Sequence, residues 1–552
     1  MSFSVNGLIR FDKISAINVE KFWICGIIYE QIFVQIEDMK VVTVMNMSEL
    51  KQIIYKGEKV DVECKWSENT VPKSVYESYS GFANTKGGYI FLGVDEDKKK
   101  TKPEERFIIK GICNSTKQLE DFWNTINGNK VNVNILKDED VYIVEEDGIS
   151  VIVIHVPRAP YNMRPVYVGE NPYKGTYKRN HEGDYHMSEY EVDALIRDKN
   201  PEGNDSVVLQ GYTMEDIDTE TFKHYRQRFQ SRNPEHVWND LDDRDFLEAL
   251  GGYRKDRRTE IEGLTMAGLM MFGKGLAIRD EFDNVFMDYR DESEKTDEIR
   301  WNDRITYDGT WENNLFNFFT KVTPKLTADL KKPFKLENSQ RIDDTPIHKA
   351  IREAFVNLII HADYLLDAGT LKIIKLSDGY EFTNPGILKL PVEEIFKGGN
   401  SKPRNPRMQT MLRMVGFGDN AGSGFPTILR AWENEGWVEP SLYEDTVLNQ
   451  VVLHLSKINK TNVLQKSDRK KATEKSDRKK ATKKTQAQYT AIIEFMQPDV
   501  WYKASDLLDI TGVKETRTKE LLRELVADGK LVDDGETKGR RYKKSIVDKE
   551  IS

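Results

Sequence analysis

Glu353 and Asn357 stand four residues apart, with His361 four residues further on, in a segment whose apolar positions repeat at helical spacing. A carboxylate and an amide on one helix face suit one job. The carboxylate orients a water, and the amide oxygen ligates magnesium beside a triphosphate. Two glycine-rich turns follow. Phe382-Thr-Asn384-Pro-Gly386-Ile closes a strand, and Gly416-Phe-Gly418-Asp-Asn-Ala-Gly422-Ser-Gly424 can bring backbone amides close to phosphates. No GxxxxGK[ST] phosphate loop occurs, so a helicase motor is excluded. A different chemistry gathers near the carboxyl end. Arg517, Lys519 and Arg523 fall on outward positions of a helix whose Leu521, Leu522, Leu525 and Val526 point inward, and Lys538, Arg540 and Arg541 load the hairpin after it. A helix in the major groove with a basic wing on the backbone is how helix-turn-helix variants dock.

These residues need elements to hold them. Thr345-Pro346 reads as a helix start, and Ala350, Ile351, Ala354, Phe355, Leu358 and Ile359 form the buried stripe of a helix over 346–364. Strands at 371–376 and 380–383 follow, and QVVLHLS near Ser456 closes that domain. A nine-residue repeat comes next, KSDRKKATE (466–474) and KSDRKKAT (475–482); with no apolar face it reads as a solvated linker. Helices at 489–496, 504–508 and 515–527 and a hairpin over 530–543 around Gly535 then outline a winged helix. Nearer the amino end, Val60, Val62 and Cys64 alternate as a strand, which projects Asp61, Glu63 and Lys65 from the opposite, polar face. Thr70 and Pro72 open a helix with Val75, Tyr79, Phe82 and Ala83 as its stripe. Gly87-Gly88 ends it, and strands at 89–94 and 150–156 follow. Residues 1–44 alternate apolar and polar positions and carry no assignable chemistry; a clear start, Met45-Asn-Met-Ser-Glu, comes after them.

The chain therefore reads as multidomain α/β (α+β): an extension (1–46), a mixed α/β domain (47–200), a mixed helical connecting region (201–340), a second α/β domain (341–457), the basic linker (458–486) and the winged helix (487–545). Hydrophobic residues make up 38% of its 552, enough to build cores, so wholesale disorder is excluded. No run of eighteen apolar residues argues for a membrane span, and the start lacks the pattern of a signal peptide. Cys25, Cys64 and Cys113 suit neither a disulfide framework nor a zinc cluster. A soluble, cytoplasmic protein is expected. Its net charge of −9 hides an asymmetry: residues 457–485 hold twelve Lys or Arg against three Asp or Glu, so +9 sits there and −18 on the rest. One basic segment on an acidic body points to a polyanionic partner.

The stretch from Glu58 through Glu63-Cys-Lys65, with Gly81-Phe-Ala-Asn84-Thr-Lys-Gly87-Gly88-Tyr-Ile-Phe-Leu-Gly93-Val-Asp95 and the later Tyr177-Lys178-Arg179, resembles the AlbA-like domain of the Schlafen family. The resemblance covers about residues 47–195 and implies binding of DNA or RNA. In some Schlafen members the module also carries a three-carboxylate, metal-dependent ribonuclease site. By that likeness Glu58, Glu63 and Asp95 would hold magnesium or manganese and activate water against a phosphodiester. Asp97 is an alternative to Asp95, and the chain must bend near Gly57 because residues 58 and 63 face opposite sides of an ideal strand. Lys65, Lys178 and Arg179 would neutralise phosphates without reading bases. The plainer alternative is that Glu63 and Lys65 pair as ordinary surface charges.

Arg352-Glu353-Ala-Phe-Val-Asn357-Leu-Ile-Ile-His361-Ala-Asp363-Tyr364, with Asn384-Pro385-Gly386 and Arg404-Asn405-Pro406, resembles the GHKL-type ATP-binding domain. More closely it is similar to the version that follows Schlafen-type domains in bacterial proteins labelled RecG-like or transcriptional regulators, a likeness that reaches back through Leu264–Lys274. It implies an α/β sandwich that binds ATP with magnesium. Glu353 would be the water-orienting base of an ATPase and Asn357 the magnesium ligand; Asn384 and Gly386 would border the adenine, and Gly416, Gly418, Gly422 and Gly424 would form the phosphate lid. One departure stands out. The usual adenine contact is an aspartate, whereas Asn384 accepts without carrying charge, so altered nucleotide binding is expected. Two readings follow. One is a nucleotide-responsive transcriptional regulator that binds ATP and nucleic acid; the other is a Schlafen-like endoribonuclease gated by nucleotide, acting in defence against phage. The winged helix favours the first. The sequence carries no signal for oligomeric state.

Overall fold

The computed structural model describes residues 45–461 and 485–544, apart from 58–59, 182, 284, 297, 331–335, 338–339, 342–343, 367–368, 419–423, 447, 486, 498–499, 528 and 535–539. Glu58, Gly422, Lys538, the extension up to residue 44 and the basic repeat thus lie outside the described residues. The chain forms two compact units, Met1–Asn204 and Asp205–Ser552.

In the first unit, helix α1 (Met47–Ile54) opens with a capping box in which Asn46 and Glu49 bond each other's backbone amides. Strand β1 (Val62–Lys65), helix α2 (Ser74–Asn84) and strand β2 (Gly88–Leu92) make a parallel crossover unit. After a short pair, β3 (Val94–Glu96) and β4 (Phe107–Ile109), come helix α3 (Ser115–Ile126) and strands β5 (Val141–Glu146) and β6 (Ile149–Val156). The sheet order is β1-β2-β6-β5. Tyr79 and Phe82 of α2 and Phe122 of α3 pack on Ile90, Leu92, Ile152 and Ile154 on one face. Leu50 and Ile54 of α1 pack on Val62, Phe91, Val151 and Val153 on the other. Burial on both faces is why YIFL and SVIVIHV are continuous apolar runs. The strand expected over 89–94 is divided at Gly93, where a φ of +100° turns the chain out to pair β3 with β4. A hairpin, β7 (Tyr177–Asn180) and β8 (Gly183–His186), and helix α4 (Glu189–Arg197) complete the unit.

The second unit is built on a six-stranded sheet, with strands β9 (Val285–Glu292), β10 (Asp303–Ile305), β11 (Gly369–Leu376), β12 (Gly379–Pro385), β13 (Ser441–Asp445) and β14 (Gln450–Ser456). Their order is β10-β9-β11-β12-β14-β13, and β9 with β11 is the parallel pair. Helices α5 (Thr219–Arg232), α6 (Met266–Phe272), α7 (Leu315–Leu326), α8 (Pro346–His361), α9 (Pro406–Met414) and α10 (Gly424–Asn434) share one hydrophobic core with it, running from Leu209 to Leu455. Residues 201–340 are therefore not a separate connecting region. They supply β9 and β10, without which β11 would be an open edge, and the helices that bury its inner face.

Beyond the basic segment, a helix over 487–495, a 3-10 turn at Ala504–Leu507 and helix α11 (Glu515–Ala527) surround a sheet of β15 (Tyr502–Lys503), β16 (Leu531–Asp533) and β17 (Arg541–Lys544) in the order β15-β17-β16. Ile492, Leu507, Leu521, Leu522, Leu525, Leu531 and Tyr542 form its own small core.

Candidate functional site

Helix α8 carries the reactive pair, and its ends are fixed with unusual care. Thr345 caps the start in a capping box with His348, and Pro346 sits at the first turn where no amide partner is needed. Ala350, Ile351, Ala354, Phe355, Leu358 and Ile359 are buried, as their spacing requires. At the other end the last carbonyls are taken by a remote segment. Arg404 Nη1 donates to the His361 carbonyl (2.8 Å) and its Nη2 to that of Ile387 (2.6 Å). The Asn405 side chain donates to the carbonyls of Ile359 (3.2 Å) and Ala362 (2.8 Å), and its backbone amide to Ile360 (3.0 Å). A cation at a helix C-terminus also meets the negative end of the dipole. Arg404-Asn405-Pro406 is thus a clamp that ties α8 to the turn after β12. Asp205 in turn accepts from the Met408 amide (2.9 Å) at the start of α9, and burial raises its pKa to about 7.

Glu353, Asn357 and His361 of α8, Asn384 of β12 and Gly424 at the start of α10 line one cleft. Its apolar wall comes from Phe382, Leu442, Val451 and Leu453 of the sheet, and it encloses about 980 Å³ counting its open mouth. Gly424 lies directly against Glu353: a Cβ there would meet Glu353 Cδ at 2.9 Å and Cγ at 3.3 Å, with Oε1 nearer still, so an added methyl would displace the carboxylate. Gly386 has a φ of +103°, and a Cβ would touch Arg404 Nη1 at 3.1 Å, so it serves the clamp. Gly418 approaches Glu353 Oε2 to 3.8 Å from its Cβ position. At Gly416, with a φ of +83°, a Cβ would meet the Arg232 guanidinium.

Sequence reasoning missed the cleft's charge. Among the described residues, Lys389, Lys402 and Arg404 line it with His361, against one carboxylate, Glu353. Burial, then Arg404 and Lys389, pull the His361 pKa down to about 3, so the imidazole is neutral at ordinary pH. An excess of cations around an apolar wall suits a base attached to phosphates. Lys389 and Lys402 lie in the irregular stretches on either side of a short helix, Val392–Lys397, and no periodicity points to their place; the run Ser401-Lys-Pro-Arg404 is the one local sign.

The amino-terminal charges are arranged differently from the expectation. Strand β1 begins at Val62, with Val60 exposed, and Glu63 does not project into solvent: it is 6% exposed. Its carboxylate pairs with Arg179 Nη1 (2.6 Å) and Lys65 Nζ (2.5 Å). Arg179, 2% exposed, also reaches Asp184 (3.4 Å) and donates to the Val62 carbonyl (2.9 Å). It is a buried anchor between β1 and β7, not a phosphate contact. Lys178 pairs with Glu191 of α4 (2.5 Å). Asp95 sits on β3, where a bond from Lys110 Nζ (2.6 Å) lowers its pKa. Among the described residues, no group of three or more His, Cys, Asp or Glu could hold a metal ion. Asn84, inside the motif, bonds Val166 N (2.8 Å), Val166 O (2.7 Å) and Tyr177 O (3.1 Å), so much of that motif holds the fold.

On α11 two of the outward cations, Arg517 and Lys519, are met by acids. Arg517 pairs with Glu520 (2.8 Å) and Glu524 (3.6 Å), and Lys519 with Glu515 (2.8 Å); Arg523 is exposed. Arg540 and Arg541 reach Asp533 (3.1 Å) and Asp534 (2.9 Å). The helix expected to read bases carries three acids and three bases, a net charge of zero.

Three family models match the chain. Residues 56–188 match "Schlafen, AlbA_2", residues 370–453 match "Putative ATP-dependent DNA helicase recG C-terminal", and residues 193–288 match a domain of unknown function. The chain therefore joins a Schlafen AlbA_2 domain to a RecG-C-terminal-like ATPase domain. That combination is the one of a nucleic-acid-associated ATP-binding protein. Two solved structures are similar: the DIP2311 protein of Corynebacterium diphtheriae (16% identity, 94% of this chain and 99% of that one, TM-score 0.35), and the N-terminal domain of a putative ATP-dependent DNA helicase RecG-related protein of Nitrosomonas europaea (21% identity, 26% and 89%, TM-score 0.21). No curated protein matches. Among the described residues, no helix is long and apolar enough to cross a membrane.

Proposed function

We propose that this protein is a nucleotide-responsive transcriptional regulator, which binds ATP with magnesium in the α8–β12–α10 cleft and engages nucleic acid through its Schlafen-like domain and its carboxyl end. The supporting observation is the convergence of Glu353, Asn357, Asn384 and Gly424 on one cleft rimmed by Lys389, Lys402 and Arg404. We read the layered sheet and helices around it as a GHKL-type sandwich, and residues 487–545 as a winged helix. The donor set fits the ion: the Asn357 amide oxygen is a hard ligand, with the remaining positions left to phosphates and water. Magnesium, when bound with the nucleotide, supplies charge neutralisation between the phosphates. The chain's residues do the rest. Asn384 meets the base edge, Lys389 and Lys402 hold the phosphates, and Glu353 orients the water that any hydrolysis needs.

The ribonuclease reading needs Glu58, Glu63 and Asp95 to share a cation. Glu63 is neutralised by Arg179 and Lys65, and Asp95 by Lys110, so these donors do not fit a metal and no step is assigned to one. The regulator reading is tested by fluorescence anisotropy of labelled nucleic acid titrated with the full chain, with and without ATP and magnesium. An affinity that changes severalfold with nucleotide supports it. Equal affinity at saturating ATP would contradict it.

A further inference from the structure

The sheet side of the cleft is apolar except at one place. Strand β12 turns Phe382 and Asn384, two residues apart, to the same face. Register sets Phe382 opposite Leu453 and Asn384 opposite Val451 of β14, with Leu442 of β13 opposite Leu453. All five line the cleft, so among the described residues Asn384 is the polar side chain that the sheet gives to this wall. Lys389, Lys402 and Arg404 reach the cleft from outside the strands. A flat base belongs on the apolar wall and its phosphates beside the cations. The hydrogen-bonding edge of the base then falls to Asn384.

The Asn384 side chain is 7% exposed, and its amide offers two donor hydrogens and an acceptor oxygen. Its one bond is weak: Nδ2 donates to the Pro385 carbonyl at 3.3 Å, long against the usual value of about 2.9–3.0 Å. That carbonyl also accepts from the Asp363 amide (3.0 Å), so it does not depend on Asn384. The two ends of an amide have nearly the same shape. A half-turn about its last bond therefore puts a donor where an acceptor stood, at the cost of one long hydrogen bond.

We propose that Asn384 makes the cleft accept 6-amino and 6-oxo purine nucleoside triphosphates, ATP and GTP, alike. The inference rests on the reading that this cleft binds a nucleotide, and names its base selectivity. With its oxygen toward the base, the amide accepts from the exocyclic amine of adenine. With its nitrogen toward the base, it donates to the keto oxygen of guanine. A carboxylate at this position could do only the first, because it has no hydrogen to give and its charge repels a keto oxygen. Discrimination between two bases needs such a repulsive element, and the neutral amide lacks it.

The test is calorimetric titration of the full chain with ATP and with GTP, each with magnesium. The two dissociation constants should lie within about tenfold of each other, since one hydrogen bond at most separates the two orientations. Asn384→Asp should shift the ratio toward ATP by about 100-fold or more. Asn384→Ala, which loses donor and acceptor together, should weaken both nucleotides by the same factor, and circular dichroism should show both variants folded. A wild-type preference for either nucleotide beyond about tenfold overturns this proposal alone, and needs no variant to do so. An ATP-to-GTP ratio unchanged in folded Asn384→Asp overturns it too, by removing Asn384 from the base. Binding of neither nucleotide overturns it together with the nucleotide reading.

Discussion

Gly424→Ala separates the chemistry of the cleft from its stability. The added methyl would sit 2.9 Å from Glu353 Cδ, 0.5 Å inside the 3.4 Å where ordinary contact begins, and closer still to Oε1. The carboxylate, the far end of a flexible side chain, must swing away. Off-rotamer displacement costs about 0.5–1.5 kcal/mol. Replacing glycine by alanine near a helix start returns up to about 1 kcal/mol. The net change in stability should therefore stay within about 1 kcal/mol, or roughly 3 °C in melting temperature. Function should change far more. A displacement near 1 Å in a water-orienting group costs on the order of 100-fold in rate. Malachite-green detection of phosphate release, with calorimetric nucleotide binding measured in parallel, reads both. The account expects hydrolysis to fall about 100-fold while binding survives. Hydrolysis equal to wild type in Gly424→Ala, or no hydrolysis in the wild type itself, would refute the role given to Glu353.

Further outcomes follow from the same structure. Arg179→Ala leaves Glu63 buried without its main partner, so thermal or urea unfolding should show a loss of about 3–5 kcal/mol in the first unit; a change under 1 kcal/mol would mean the pair is dispensable. His361 has a folded pKa of about 3 against 6.5 for a free imidazole, so holding it neutral costs nothing above pH 6.5 and penalises the fold as pH drops from 6.5 toward 3. His361→Gln should therefore gain stability relative to wild type on acidification across that window, measured by denaturant unfolding at pH 7 and pH 5. Changing the lysines of the 466–482 repeat to glutamine should weaken nucleic-acid binding for all sequences alike and flatten its salt dependence. A wild-type slope of roughly −4 to −5 is expected if about four to six phosphates are neutralised.

Local patterns carried the helices well and the long-range contacts poorly. Helix α8 was legible from Thr345-Pro346 and its apolar stripe, because those signals lie within a few residues of each other. Glu353 and Asn357 share the cleft because their spacing is one helical turn. Glu63 was misread for the opposite reason. Alternation puts it on the face away from Val62 and Cys64, and that face is polar in isolation; only Arg179, 116 residues later, makes it an interior. The connecting region failed likewise, since β9 joins β11 across more than 75 residues in a parallel pairing that no local period announces. On α11 the cations were visible but their acids were not, although Glu515 and Glu520 stand one turn from Lys519 and Arg517 at ion-pairing spacing.

The measurement that bears most directly on the central claim is calorimetric titration of the full chain with ATP, with and without magnesium, repeated on Asn357→Ala. The account predicts magnesium-dependent binding that disappears in the variant, because the amide oxygen is the protein ligand to the ion. Binding that is indifferent to magnesium and unchanged in Asn357→Ala, or no binding at millimolar ATP, would contradict it.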